Sequence, residues 1–371
     1  MKNLRILFAF LTLFPFGYPA FSQITDTLST WGFHSAIKPA ENPIIGADST
    51  KVFVDPITND TVRWQRADIF NPGAIVKDGK VYLLTRCEDN PKAILGKRTS
   101  RIGLAVSTDG IHFKHFEEPV LYPQNDKFKE LDYPGGCEDP RVVETKDGRY
   151  VMAYTSWNYI VPRLSIAISK DLITWEKKGL AFGKAYKGKF YNLASKSASI
   201  ITKMINGRPI AVKMHGKYWM YWGETFVNLA WSKNLADWYP LLDDQGNLKQ
   251  IMNTRLGFFD SSLTECGPPA LMTDKGILLL YNGKNANNEQ ADPNLPRGTY
   301  SVGQVLFDLK DPEKILKRSD TYILKPTLPH EVSGQYAAGT TFGEGLVKFN
   351  GTWYLYYGTA DSFIGVAILK Y

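Results

Sequence analysis

The sequence predicts an all-β chain arranged as a five-bladed β-propeller. Three observations lead there: an internal repeat, five glycine-centred hairpin signals and an aromatic-rich composition. The 371 residues include 20 Tyr, 20 Phe and 9 Trp, mostly in short runs with Val and Ile that suit pleated strands. The length permits one large domain or two ordinary ones.

The repeat is clearest in Ser107–Phe113, Ser169–Trp175 and Ser232–Trp238, which start 62 and 63 residues apart. Each sets Asp109, Asp171 or Asn234 four residues ahead of an aromatic. Each follows a candidate strand: Gly103–Val106, Ser165–Ile168 and Asn228–Trp231. The aromatics Phe113, Trp175 and Trp238 recur by blade and are expected in the core.

The hairpin signals are Asp78-Gly79, Asp147-Gly148, His215-Gly216, Lys275-Gly276 and Asn350-Gly351, each leading into an apolar run. Asp-Gly and Asn-Gly between apolar runs favour two-residue hairpin turns. Apolar strands precede them at Ala74–Val76, Arg141–Glu144, Ala198–Ile201, Ala270–Met272 and Gly345–Val347. Five such units at near-equal spacing place blade starts near Asn71, Glu138, Ser197, Glu265 and Phe342. The last unit is short of strands, and residues 30–65 are expected to supply its outer one.

Residues 1–22 read as a secretory signal, with a basic start at Lys2 and Arg5 and an apolar run from Ile6 to Phe14. Ala20 and Ser22 stand at −3 and −1 before Gln23, the small-residue pattern of a cleavage site. The expectation is a single propeller domain over 23–371, secreted or periplasmic. Of the formal +7 charge, Lys2 and Arg5 fall in the leader, which leaves a modest +5. No basic run with interleaved aromatics stands out, so a nucleic-acid partner is not expected. No later run is long and apolar enough for a membrane span. Cys87, Cys137 and Cys266 make an odd count and read as small buried apolar residues.

In a propeller the start of each first strand and the end of each second strand share one channel mouth. Strand-one starts contribute Asn71, Glu138, Asp139, Ser197 and Glu265; strand-two ends contribute Arg86, Glu88, Asp89, Trp157, Asn158, Glu224, Asn282, Lys284 and Asp361. Gly136 to Arg141 concentrates two acids and a guanidinium at the head of the apolar Val142-Val143. Carboxylates and amides bind hydroxyl pairs, rings stack on sugar C–H faces, and two acids in different environments can cleave a glycosidic bond. No Asp-x-Asp ligand loop or His pair at ligand spacing points to a metal, and no metal or other cofactor is expected. No phosphate-cradling Gly-Lys-Ser/Thr loop or Gly-x-Ser-x-Gly elbow is present.

Four blocks carry a family resemblance: Asn71 to Ala74, Arg86 to Asp89, Gly136 to Arg141 and Tyr357 to Asp361. In this order, from Asn71 to the C-terminus, they resemble glycoside hydrolase family 130. The resemblance implies a five-bladed propeller acting on β-mannosides. Most members are inverting phosphorylases; a subset are inverting β-1,2-mannosidases. It implies Asp139 as catalytic acid, and it places Glu224 and Glu265 where the hydrolase subset carries carboxylates that activate water. Asn71, Arg86, Asp89, Glu138, Arg141, Trp157, Asn158, Lys196, His215, Asn282 and Asp361 are expected to bind substrate. Lys196, Lys213 and His215 lie near the site in sequence and could hold phosphate. The expected activity is exo-acting hydrolysis of β-manno-oligosaccharides, with a mannosyl phosphorylase or a non-catalytic sugar-binding propeller as alternatives.

Overall fold

The computed structural model describes residues 30–94, 96–206 and 208–371; the segment 1–22, expected to be a secretory signal, lies outside them. The chain is nearly all β. Its helices among the described residues are single turns such as Lys129–Asp132.

Five antiparallel sheets follow one another along the described chain. The first pairs Asp68–Lys77, Lys80–Glu88, Ser100–Ser107 and Lys114–His115. The second pairs Gly136–Glu144, Tyr150–Trp157, Arg163–Ser169 and Trp175–Leu180. Ala198–Ile205, Tyr218–Trp222, Val227–Ser232 and Trp238–Pro240 build the third. In the fourth the inner strand is split into Leu263–Cys266 and Ala270–Met272, beside Ile277–Lys284, Tyr300–Phe307 and Ile315–Arg318. The fifth joins Phe342–Phe349, Thr352–Thr359 and Phe363–Lys370 to Ser35–Ile37. The N-terminal region therefore supplies the outer strand that the last unit lacks.

The repeat has a local cause. Asp109 Oδ1 accepts from the amides of Ile111 and His112, and Ser107 Oγ accepts from Gly110 N. Asp171 with Ser169, and Asn234 with Ser232, make the same bonds. Such side-chain turns satisfy backbone donors that the sheet cannot reach. Trp175 and Trp238 then return an indole N–H to the carbonyls of Leu172 and Leu235. Three of the five expected hairpins have positive φ at both turn residues, among them Asp78 (49°) with Gly79 (68°) and Asn350 (48°) with Gly351 (83°), as a primed turn requires. The third unit differs from the sequence reading. Its first strand folds back at Asn206, another Asn with positive φ, into an extra strand, Arg208–Ala211. The His215-Gly216 turn comes only afterwards.

Five apolar clusters each fill the space between consecutive sheets, and one of them joins the fifth sheet to the first through Val347, Tyr356 and Val366 against Ala74, Val81 and Leu83. Inner strands approach closely where glycine stands. A Cβ on Gly73 would lie 2.4 Å from Pro140 O, and one on Gly345 would lie 2.7 Å from the Cβ of Ala74. Cys87, Cys137 and Cys266 are buried free thiols, the role expected of them.

Candidate functional site

The inner strands lose their regular pairing at one level. Register slips between Phe70 and Pro72, between Glu138 and Arg141 and between Gly343 and Gly345. The fourth sheet's inner strand is interrupted at the same level, after Cys266. The residues freed there carry the chemistry. Asn71 (φ 47°), Asp139 (φ 50°) and Ser197 (φ 55°) all adopt left-handed backbone, which Asn and Asp tolerate best among non-glycine residues. Bulges of this kind re-aim a side chain out of the pleat, and strain of about 1–3 kcal/mol per residue persists where the surroundings over-determine it.

They open into a cavity of about 330 Å³ whose walls include Asn71, Arg86, Glu138, Asp139, Trp157, Lys196, Glu224, Glu265 and Asp361. Arg86 is its hub. Nη2 contacts Glu88 Oε1 and Glu138 Oε1, each at 2.8 Å, and Nη1 reaches Asp139 Oδ1 at 3.1 Å. Asn71 Nδ2 donates to that same Asp139 oxygen at 2.9 Å. Asp139 Oδ2 has Lys196 Nζ at 3.8 Å. Glu265 accepts from Ser197 Oγ and is buried, whereas Glu224 is exposed.

Electrostatics separate these acids. Burial opposes the charge of Asp139, but Arg86, Lys196 and the Asn71 amide outweigh it and hold its carboxyl well below the usual range. Glu138 is pushed up to about 7 by burial and by Asp139, against the pull of Arg86. Two adjacent carboxyls sharing one guanidinium titrate as a unit, and this pair retains a proton near neutrality. Glu265 is pushed up to about 7 by burial, with Glu224 adding to the rise and Lys196 opposing it. Burial also raises Asp361, to about 6. Lys196 resists the burial that would neutralise it, because Asp139, Glu138, Glu265 and Glu224 all favour its charge.

Five expected ligands sit elsewhere. Arg141 points behind the cavity. It donates to the carbonyls of Gly267, Asp139 and Cys266 at 2.9–3.1 Å and faces Glu344 Oε1 at 3.0 Å. It thus ties three sheets together and leaves the Asp139 carboxylate to Arg86. Asn282 is buried and brackets Gly343 through its amide and carbonyl. Asp89 faces Arg101 at 2.7 Å, outside the cavity wall. Asn158 closes its own loop, accepting from Ile160 N and Val161 N. His215 lies on the hairpin turn, beside the Lys310 carbonyl. That turn is the end of the strand pair away from Trp222, because second strands carry their tips to the face opposite the cavity. Lys213 stands over the Tyr218 ring.

Sequence reasoning passed over Tyr300, Tyr336 and Thr340 in the wall and named Phe342 there only as a blade start. Tyr300 begins a third strand, and third strands start at the mouth where second strands end, so that signal was available. Tyr336 and Thr340 come from a loop and carry none. Glu344, fully buried at the fifth sheet's bulge, was also missed; burial holds its carboxyl far above the usual range despite Arg141.

Arg141→Leu should therefore destabilise the fold by about 3–5 kcal/mol, the usual cost of orphaning a buried ionic partner. Denaturant unfolding checks this; a loss under about 1 kcal/mol would show that the three carbonyls find other donors.

Clustered acids, one hub arginine and a tryptophan around a cavity of this size make a carbohydrate-processing centre. The family model for glycoside hydrolase family 130, described as beta-1,4-mannooligosaccharide phosphorylase, matches residues 41–371. The chain belongs to glycoside hydrolase family 130 and is an enzyme acting on β-mannosides. A 1,2-beta-oligomannan phosphorylase of Thermoanaerobacter sp. (strain X514) is 37% identical over 311 residues, covering 83% of this chain and 91% of that protein. A solved putative glycosidase from Bacteroides thetaiotaomicron VPI-5482 is 53% identical with a TM-score of 0.90, covering 91% of this chain and 97% of that one. Another solved structure is described with family 130 glycoside hydrolases that target β-1,2 mannosidic linkages in Candida mannan. It is 49% identical with a TM-score of 0.90, covering 92% of this chain and 95% of that one.

Proposed function

We propose that the chain is an inverting, exo-acting β-mannosidase of β-1,2 linkages, built as a five-bladed propeller and exported through cleavage near Ser22. The propeller reading rests on five sheets and five inter-sheet cores, the last of which returns to the first sheet. The linkage rests on the relatives above. The observation that carries hydrolysis is the charge of the cavity. Glu138, Asp139, Glu224, Glu265 and Asp361 face only Arg86 and Lys196 there, and Arg86 is committed to three carboxylates. A phosphate dianion entering beside Glu224 and Glu265 would be repelled. A water there can lose a proton.

In this mechanism the Glu138–Asp139 pair holds the proton. Glu138 carries it near neutrality and hands it to Asp139, which passes it to the glycosidic oxygen, directly or through a hydroxyl of the bound mannose; solvent then reprotonates the pair. Glu265 takes a proton from water on the opposite face. Its value near 7 suits a base working at neutral pH; burial keeps it there, and Glu224 adds repulsion. Inverting carboxyls stand roughly 6.5–9.5 Å apart to admit that water. Lys196 lies between the two sides and balances both.

The deciding measurement is incubation with β-1,2-mannobiose with and without phosphate. Free mannose at a phosphate-independent rate is expected. Stoichiometric mannose 1-phosphate would establish the phosphorylase reading, which the 37%-identical relative favours.

Glu265 must be ionised, so activity falls below about 7. The Glu138–Asp139 pair must keep its proton, so activity falls above about 7. A narrow bell centred near neutrality in kcat/KM is the expected result; a plateau extending beyond pH 9 would remove the carboxyl pair as proton source.

A further inference from the structure

A second, wider cavity of about 580 Å³ is lined by residues 61–63, 66, 89–92, 97–99 and 159. Its walls carry Arg63, Arg66, Lys92, Lys97 and Arg98 against a single acid, Asp89. Arg98 is spent on Asp68 and Glu88, and Asp89 on Arg101. The other four cations have no carboxylate partner among the described residues. Arg63 donates to the Ser49 carbonyl, and Lys97 lies 4.8 Å from the Tyr159 ring centre. Four unpaired cations around one concavity repel each other, and an anion would relieve that repulsion.

No residue lines both cavities, but near neighbours along the chain line one each. Gly96 and Trp157 border the first, Lys97 and Tyr159 the second. Trp157 binds the Gly96 carbonyl through Nε1 and meets the Tyr159 ring edge-on at 6.2 Å. The ion-pair chain Asp139–Arg86–Glu88–Arg98 runs from one to the other. The basic cavity therefore lies on the side of the proton donor. In an inverting reaction that is the leaving-group side, and the nucleophile comes from the opposite face. A phosphate acting as nucleophile would have to stand beside Glu224 and Glu265 instead.

We propose that the basic cavity is an aglycone subsite for an oxyanion, a phosphate or carboxylate carried by the sugar that leaves. This rests on the proposed cleavage chemistry. Guanidinium forks match both oxyanions, and Arg63 and Arg66 offer two.

The test compares neutral β-1,2-mannobiose with the same disaccharide bearing a 1-phosphate, or a uronate as its reducing-end sugar. The wild type should favour at least one anionic substrate by about tenfold in kcat/KM, as a pair of charge-assisted hydrogen bonds allows. The preference should shrink in 1 M salt, where screening acts within about 3 Å. The triple variant Arg63→Ala, Arg66→Ala, Lys97→Ala should bring the ratio near one. Calorimetric binding of the same ligands to the slow Asp139→Asn protein should rank them alike. Turnover of the neutral disaccharide with no preference for either anion would overturn the subsite alone, as would a preference that survives the triple variant. Neither binding nor turnover of any of the three would overturn the cleavage reading and the subsite with it.

Discussion

Asp139→Asn is expected to lower turnover of β-1,2-mannobiose by about 10²–10⁴-fold, the usual worth of a positioned proton donor. The loss should be much smaller on an aryl mannoside with an acidic phenol, because a phenolate leaves with little protonation. The variant should still fold. Asparagine is nearly isosteric and accepts the left-handed backbone that Asp139 adopts at φ 50°. Its amide oxygen can still receive the Asn71 and Arg86 donors that now meet Oδ1. Glu138→Gln separates the partners of the pair. It removes the group that holds the proton near pH 7, so it should move the alkaline limb of the profile. Equal losses for Asp139→Asn on both substrates, or an unfolded protein, would sink the assignment of this residue as donor.

The second large effect is expected at Glu265. A base that activates water is needed whatever group departs, so Glu265→Gln should reduce both substrates alike, again by about 10²–10⁴-fold. Glu224→Gln should behave differently. Glu224 is exposed and acts by repelling the charge on Glu265. Without it Glu265 ionises more easily, and the acidic limb should move to lower pH while much of the maximal rate remains. Near-full activity in Glu265→Gln would place the base elsewhere, with Glu224 first in line.

Much of this was legible in the sequence, for local reasons. The Asp-Gly and Asn-Gly turns act through the φ preferences of two residues each, and the Ser-x-Asp turns close within six residues of chain. Short apolar runs beside those turns marked the strands. Counting from strand starts and ends was enough to gather Asn71, Arg86, Glu138, Asp139, Trp157, Glu265 and Asp361 at one cavity. Lys196, one residue before a strand start, joined them. The same count misplaced residues whose partners come from other sheets. Arg141 and Asn282 occupy positions along their strands that read as site positions, but their side chains turn to the carbonyls of Gly267, Cys266 and Gly343. His215 was judged by its closeness in sequence to the site, and the turn carries it to the other end of the strands.

What the sequence by itself determined is the set of strands, their turns and the residue types at each strand's end, because these depend on contacts a few residues apart. Only the tertiary structure decided which acids share a charge. Glu138 and Asp139 are neighbours in sequence, yet they part in acidity because Arg86, Asn71 and Lys196 arrive from two other sheets and favour one oxygen pair over the other. Glu265 owes its basicity to burial, with a further push from Glu224, 41 positions earlier. Coulomb interactions and desolvation act through space over a few ångströms, and those separations exist only once the sheets are packed.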